Sequence, residues 1–354
     1  MKQQLLTRQE CAALRGIAIM GIVLHNYCHW LYLAVKENEY AFHEANVEGL
    51  WGAVTAPSLN LPIHLLSFFG HYGVPIFLFL SAYGLVMKYE SAQSPRVGVL
   101  RFTEYHYLKL FKMMIVGFVA FLLLDSLMKA PHHYQEIDFP AHVLMFVNLM
   151  SDPDSRIWPG PYWFFGLLLQ LYIVYRLLLY RRHWAATVVL MLACWAVQMV
   201  CPPESDLLVR LRYNFVGSMV PFGLGLLYAR YCHWEPTRRA QWAVMLLSAA
   251  AVFGFSFGYQ LWFWVPVFVI SFSISLVKLL PARVNSLLAW TGGISAALFV
   301  CHPLTRKVLI RISREGYTYT GLLVYILASV ALALIFRYIY RHLPSAHIDK
   351  LSSK

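Results

Sequence analysis

The chain has 354 residues, 59% of them hydrophobic and 13% charged, with a mean hydropathy of +0.56. A soluble domain carries about 25% charged residues, so this composition excludes a water-soluble enzyme and requires an apolar solvent around most of the chain. The net charge of +12 does not imply a nucleic-acid partner, because no basic run is interleaved with aromatics in a soluble module.

Membrane proteins collect Lys and Arg on their cytoplasmic side instead. A spanning helix needs about 20 mostly apolar residues, and ten segments qualify as candidates: 12–34, 61–87, 108–128, 161–180, 184–200, 213–230, 240–258, 261–280, 286–305 and 318–340. The first contains Arg15 and His25 and is followed by no small-residue cleavage site, so it reads as a retained helix rather than a signal peptide. Segment 140–150 is too short to span and reads as interfacial or re-entrant. The expected fold is therefore an all-α polytopic bundle of about ten helices over residues 1–343, with a short tail at 344–354 and no soluble domain. Twenty of the 29 Lys and Arg residues fall on the side of the termini, which places both termini in the cytoplasm. Arg306, Lys307, Arg311 and Arg314 fall on the opposite side and object to that model. The six cysteines form no CxxC pair and no zinc spacing, so they read as buried small hydrophobes, and no metal is expected.

The first helix carries Arg15, His25, Asn26 and His29 in an otherwise apolar span. At ~100° per residue Asn26 lies about 20° from Arg15, His29 about 40° and His25 about 80°. Ionisable groups in a span are costly and normally face the protein interior or a watery cavity. The stripe therefore predicts a cavity along helix 1, against the plainer reading of interhelical hydrogen bonds. Ten residues at ~1.5 Å put His25 about 15 Å deeper than Arg15. A cation at the mouth and an imidazole near the midplane suit a long ligand with an anionic head and a reactive tail, the form of an acyl-CoA. His64, Ser67 and His71 fall within about 60° of one another and extend the polar lining, or are satisfied packing residues.

Four segments resemble the acyltransferase-3 family of membrane acyltransferases, in the family's order. They are "LRGIAIMGIVLHN" (14–26), with an arginine and a histidine ten apart, "GVPIFLFLSAYGL" (73–85), "YWFFGLLLQLYIVY" (162–175) and "ALFVCHPL" (297–304). Alanine and tyrosine stand at 82 and 83 where the family commonly has glycine and phenylalanine. Lys109 and Lys112 stand where it often has two arginines. The resemblance implies a ten-helix core that takes an acyl-CoA, most often acetyl-CoA, and acylates hydroxyls of extracytoplasmic glycans or lipid-linked glycans. Some members add a periplasmic hydrolase-like domain, for which this chain is too short. Arg15, Lys109, Lys112 and Arg101 are then the expected acyl-CoA ligands, although the two lysines read equally as cytoplasmic anchors.

Acyl transfer from a thioester to a hydroxyl needs a proton acceptor, oxyanion stabilisation and close placement of both substrates. There is no Gly-x-Ser-x-Gly elbow, and nothing places a base beside Ser81. His25 is thus the expected general base, with an acyl-histidine as the variant. Asn26, Tyr83 or Tyr162 would serve the oxyanion, and His29, His71, Tyr83, Tyr162 and Trp163 the acceptor. Tyr162 and Trp163 read alternatively as an interfacial aromatic belt. The rival function is a transporter or flippase of a lipid-linked glycan, against which stand the lack of an internal repeat and of paired broken helices.

Overall fold

A computed structural model describes residues 5–91, 94 and 96–344; all but the first residue of the expected tail lies outside them. Among the described residues there is no strand, and every one of the ten predicted segments is helical. We number the principal helices α1 (Arg8–Cys28), α2 (Leu61–Tyr89), α3 (Val99–Ser126), α4 (Gly160–Leu179), α5 (Trp184–Met199), α6 (Phe215–Tyr231), α7 (Arg238–Phe255), α8 (Val265–Leu279), α9a (Ala282–Gly293), α9b (Ser295–Arg314) and α10 (Thr318–His342). Five of them, α1 to α4 and α10, are individually long and apolar enough to cross a membrane. A sixth crossing results if α9a and α9b, bent by 67°, count as one span. α5 and α8 are apolar but shorter, and α6 contains Pro221. Length and composition therefore support fewer full crossings than the ten segments counted from sequence.

The two most apolar spans, α3 and α10, are also the least buried, with 28% of each apolar window covered by protein. Water would penalise that surface at about 25 cal/mol per Å². Lipid does not, so the chain is a multi-pass membrane protein whose outer faces are solvated by acyl chains.

α1 starts with a capping box: Thr7 Oγ1 accepts from the Glu10 amide at 3.1 Å, and the Glu10 carboxylate accepts from the Thr7 amide at 2.7 Å. From there α1 runs through the centre of the bundle, packed on α9a, α2 and α9b. Its approach to α9a is backbone on backbone. A Cβ at Gly16 would strike the Leu288 carbonyl, and one at Gly292 the Ala12 carbonyl. α6 packs on α2 and α5, and α7 on α8.

Segment 140–150 does not span, as its length requires. It folds as a short helix, Asp138–Val143, and a 3-10 turn, Val147–Leu149, with Ala141, His142, Met145 and Asn148 buried and Leu144 and Leu149 exposed. Asn148 there donates to the carbonyls of Trp163 (2.9 Å) and Tyr213 (2.7 Å). It is a bracket holding two aromatics.

α2 is one crossing, so the loop before it and the loop after it emerge on opposite faces. Single cysteines at Glu44 and Arg96 should therefore label with a membrane-impermeant maleimide from opposite sides of sealed vesicles. Labelling of both from one side would exclude this arrangement.

Candidate active site

His25 is buried, 3% exposed, near the C-terminal end of α1. Its Nδ1 lies 2.7 Å from the Ser67 carbonyl and, as an N–H, donates to it. That bond leaves Nε2 with its lone pair towards a cavity of ≈ 290 Å³. The contact depends on a turn. At Gly70 α2 passes through a 3-10 turn, Gly70–Tyr72, against α1, and a Cβ at Gly70 would sit 2.6 Å from His25 Cβ and 2.7 Å from the Gly21 carbonyl. Ser67 Oγ in turn donates to the Val35 carbonyl at 2.6 Å, and His64 Nδ1 accepts from the Val35 amide at 3.2 Å. Of the polar stripe read on helix 2, His71 lines the cavity, while His64 and Ser67 orient His25 and the following loop.

That loop brings two carboxylates absent from the predicted site. Glu37 Oε1 is 3.8 Å and Glu39 Oε2 3.9 Å from His25 Nε2, and His29 Nδ1 lies 3.0 Å from Glu37 Oε1. The loop is pinned by Trp262 Nε1 donating to the Asn38 carbonyl (3.0 Å), Arg212 Nε to the Glu39 carbonyl (2.6 Å) and Asn46 Nδ2 to the Glu37 carbonyl (2.8 Å). Burial by itself raises the pKa of the Glu37 carboxyl, but the adjacent His25 and the His29 hydrogen bond outweigh it and hold the group well below the usual carboxylate range. Glu39 goes the other way: burial, followed by the charge of Glu37, pushes it up to about 8 against the opposing pull of Arg212. Only an outer-loop position and acidity marked these two residues in the sequence, and neither specifies which loop folds back over helix 1.

Arg306 is a third residue absent from the predicted site. It is 5% exposed and lines the same cavity. Its Nη1 donates to the Asn26 carbonyl (3.2 Å) and Asn26 Oδ1 (3.3 Å), and its guanidinium lies 5.0 Å over the Trp30 ring. Among the described residues it forms no ion pair. The rest of that basic cluster is accounted for: Lys307 pairs with Asp125, Arg311 with Glu315, and Arg314 donates to the Trp30 carbonyl and covers Tyr32. Asn26 lines the cavity, but its amide donates to the Ile22 carbonyl at 3.0 Å and its oxygen is engaged by Arg306.

The aromatic candidates separate. Trp163 is buried and lines the cavity with Tyr40 and Tyr213, which stack at 4.0 Å. Tyr162 is buried elsewhere, its hydroxyl donating to the Val300 carbonyl at 3.0 Å. A belt reading fails for both, because neither reaches the lipid surface. Tyr83 packs on Phe79 and Tyr228, with its hydroxyl donating to the Leu6 carbonyl at 3.4 Å, away from His25.

Arg15 lines a different cavity, of ≈ 500 Å³, together with Lys109, Lys88, Ser81 and His106. Lys112 instead donates to the Leu343 carbonyl at 2.8 Å, and neither it nor Arg101 lines that space. Phe164 and Phe299 line both cavities, their ring centroids 5.3 Å apart, so two side chains form the partition between the Arg15 chamber and the His25 chamber.

Two chambers at opposite ends of one polar helix suit a transfer between substrates arriving from two sides, and the family model that matches residues 12–340 is the acyltransferase domain of the acyltransferase-3 family. The chain belongs to that family. No curated protein and no solved structure matches it. The protein is thus a membrane acyltransferase, with the family match covering both chambers.

The turn at Gly70 gives a direct test of His25 placement. Gly70→Ala should lower acyl transfer at least tenfold while the protein still elutes as a folded monodisperse species, because the added Cβ displaces the imidazole and not the Arg15 chamber. Full activity in this variant would show that the Gly70 contact with His25 does not matter to transfer.

Proposed function

We propose that the protein transfers an acyl group, most often acetyl, from cytoplasmic acyl-CoA to a hydroxyl of an extracytoplasmic glycan or glycolipid, with both termini in the cytoplasm of a cell inner membrane. The observation that carries the proposal is the pair of chambers joined through Phe164 and Phe299. Arg15 and Lys109 offer cations to the CoA phosphates in one chamber, and the pantetheine arm carries the thioester past the two phenylalanines to the other.

In the second chamber the acceptor hydroxyl hydrogen-bonds to His25 Nε2, between the imidazole and the Glu37–Glu39 pair. His25 takes the hydroxyl proton as the oxygen attacks the thioester carbonyl. The Ser67 carbonyl holds the tautomer, and Glu37 stabilises the imidazolium that forms. Arg306, a buried cation without an ion-pair partner among the described residues, donates to the developing oxyanion, and Asn26 fixes its position. Collapse expels CoA thiolate, which receives the proton from His25. Trp163, Tyr40 and Tyr213 offer ring faces to a sugar, His29 and His71 offer polar edges, and no step requires a metal. The flippase reading lacks a comparable observation, since the partition between the chambers leaves no continuous path for a glycan.

Two variants should divide the mechanism. His25→Gln retains a hydrogen-bonding side chain but cannot accept the proton, and should reduce turnover by roughly 10²–10⁴-fold with acetyl-CoA affinity unchanged. Arg15→Ala should weaken acetyl-CoA binding about tenfold, the scale of one charge-assisted contact, with Arg15→Lys intermediate. Labelled acetyl-CoA with purified protein and candidate glycans measures both. An active His25→Gln protein would remove His25 from the base role.

Arg306→Ala should lower kcat by roughly 10²–10³-fold with little change in acyl-CoA affinity, as for loss of one oxyanion donor. If only the KM for the glycan rises, Arg306 binds the acceptor and does not stabilise the oxyanion.

A further inference from the structure

The side chains around His25 have a second chemical capacity. His25 and His29 are four residues apart on α1 and present their rings on one face, with centroids 4.8 Å apart. The loop adds Glu37, whose Oε1 is 3.0 Å from His29 Nδ1 and 3.8 Å from His25 Nε2; one ligand atom from each of the three lies within 4.8 Å of the others. Bonds of about 2.0–2.1 Å in a tetrahedral zinc site separate neighbouring donors by about 3.3 Å, so small side-chain rotations close this set around an ion.

Three further observations support such a site. Glu37 Oε2 is buried without a hydrogen-bond partner, an orphan acceptor in the middle of the cluster. His25 donates its other ring nitrogen to the Ser67 carbonyl, the outer contact that fixes a metal-binding imidazole. Glu39 Oε2, 3.9 Å from His25 Nε2, supplies a fourth donor. The two imidazoles and the Glu37 carboxylate make a nitrogen–oxygen donor set that selects Zn²⁺ over Mg²⁺ or Ca²⁺.

We propose that His25, His29 and Glu37, completed by Glu39, form a Zn²⁺ site whose occupation switches the transferase off. The metal takes the Nε2 lone pair that the hydroxyl proton would otherwise use. The site itself follows from the ligand geometry alone; the inhibition rests on His25 acting as the base.

Zn²⁺ titrated into chelator-treated purified protein in detergent, without acyl-CoA, should give one micromolar or tighter site per chain in calorimetry and raise the melting temperature. Mg²⁺ should do neither. Glu37→Gln and His29→Gln should each weaken Zn²⁺ binding at least tenfold. His133→Gln, in a separate surface pocket with His132 and Asp138, should leave it unchanged. No binding in the wild type, or equal binding in both site variants, overturns the proposal, as does loss of the site in His133→Gln. The two readings fail separately. Zinc that binds at this site without inhibiting transfer refutes His25 as base and leaves the metal site standing. An inactive His25→Gln protein that shows no zinc binding in its wild-type parent does the reverse.

Discussion

The hydrogen bond from His25 Nδ1 to the Ser67 carbonyl organises the site. It joins α1 to α2 at a turn where glycine lets the helices come this close, and fixes which nitrogen of the imidazole faces the chamber. Ser67 reaches onward through its hydroxyl to Val35, at the start of the loop bearing Glu37 and Glu39. One buried imidazole thereby sets its own tautomer, its orientation and the placement of its acidic neighbours. In an apolar surround an unpaired polar group costs far more than in water, so this chain of bonds is stable only as a whole.

Membrane solvation explains the distribution of polarity. α3 and α10 turn apolar side chains to lipid, while α1 packs within the bundle around His25 and leaves Arg15 exposed at the other chamber. The charges that survive in the interior are paired, as in Arg230 with Glu90 at 2.6 Å, or face a chamber, as in Arg306. Arg306 has no ion pair among the described residues and is held by Asn26 and the Trp30 ring.

The partition of Phe164 and Phe299 gives the two chambers a chemical relation. The two rings pack with centroids 5.3 Å apart, so the proposed passage of a thioester arm requires them to part. In the proposed mechanism the donor's charge stays at Arg15 while its reactive carbon reaches His25, matching the ~15 Å that ten helical residues span. Under that proposal two substrates meet without a continuous aqueous path through the protein.

The sequence by itself determined the apolar helices, the polar stripe on α1 and the ten-residue offset of Arg15 and His25, because helical periodicity and hydropathy are local properties. The likeness of four ordered segments to the acyltransferase-3 family was legible for the same reason. Tertiary structure alone decided which residues share a chamber. Glu37 and Glu39 reach His25 only because Trp262, Arg212 and Asn46, remote in sequence or across the loop, hold that segment down. Arg306 looked like one of four outer basic residues until α9b turned it inward. Tyr83 and Tyr162 resembled site residues in their motifs but spend their hydroxyls on the carbonyls of Leu6 and Val300. A motif fixes residue type and spacing along one helix, whereas the partner of a polar group is set by long-range packing that no local pattern encodes.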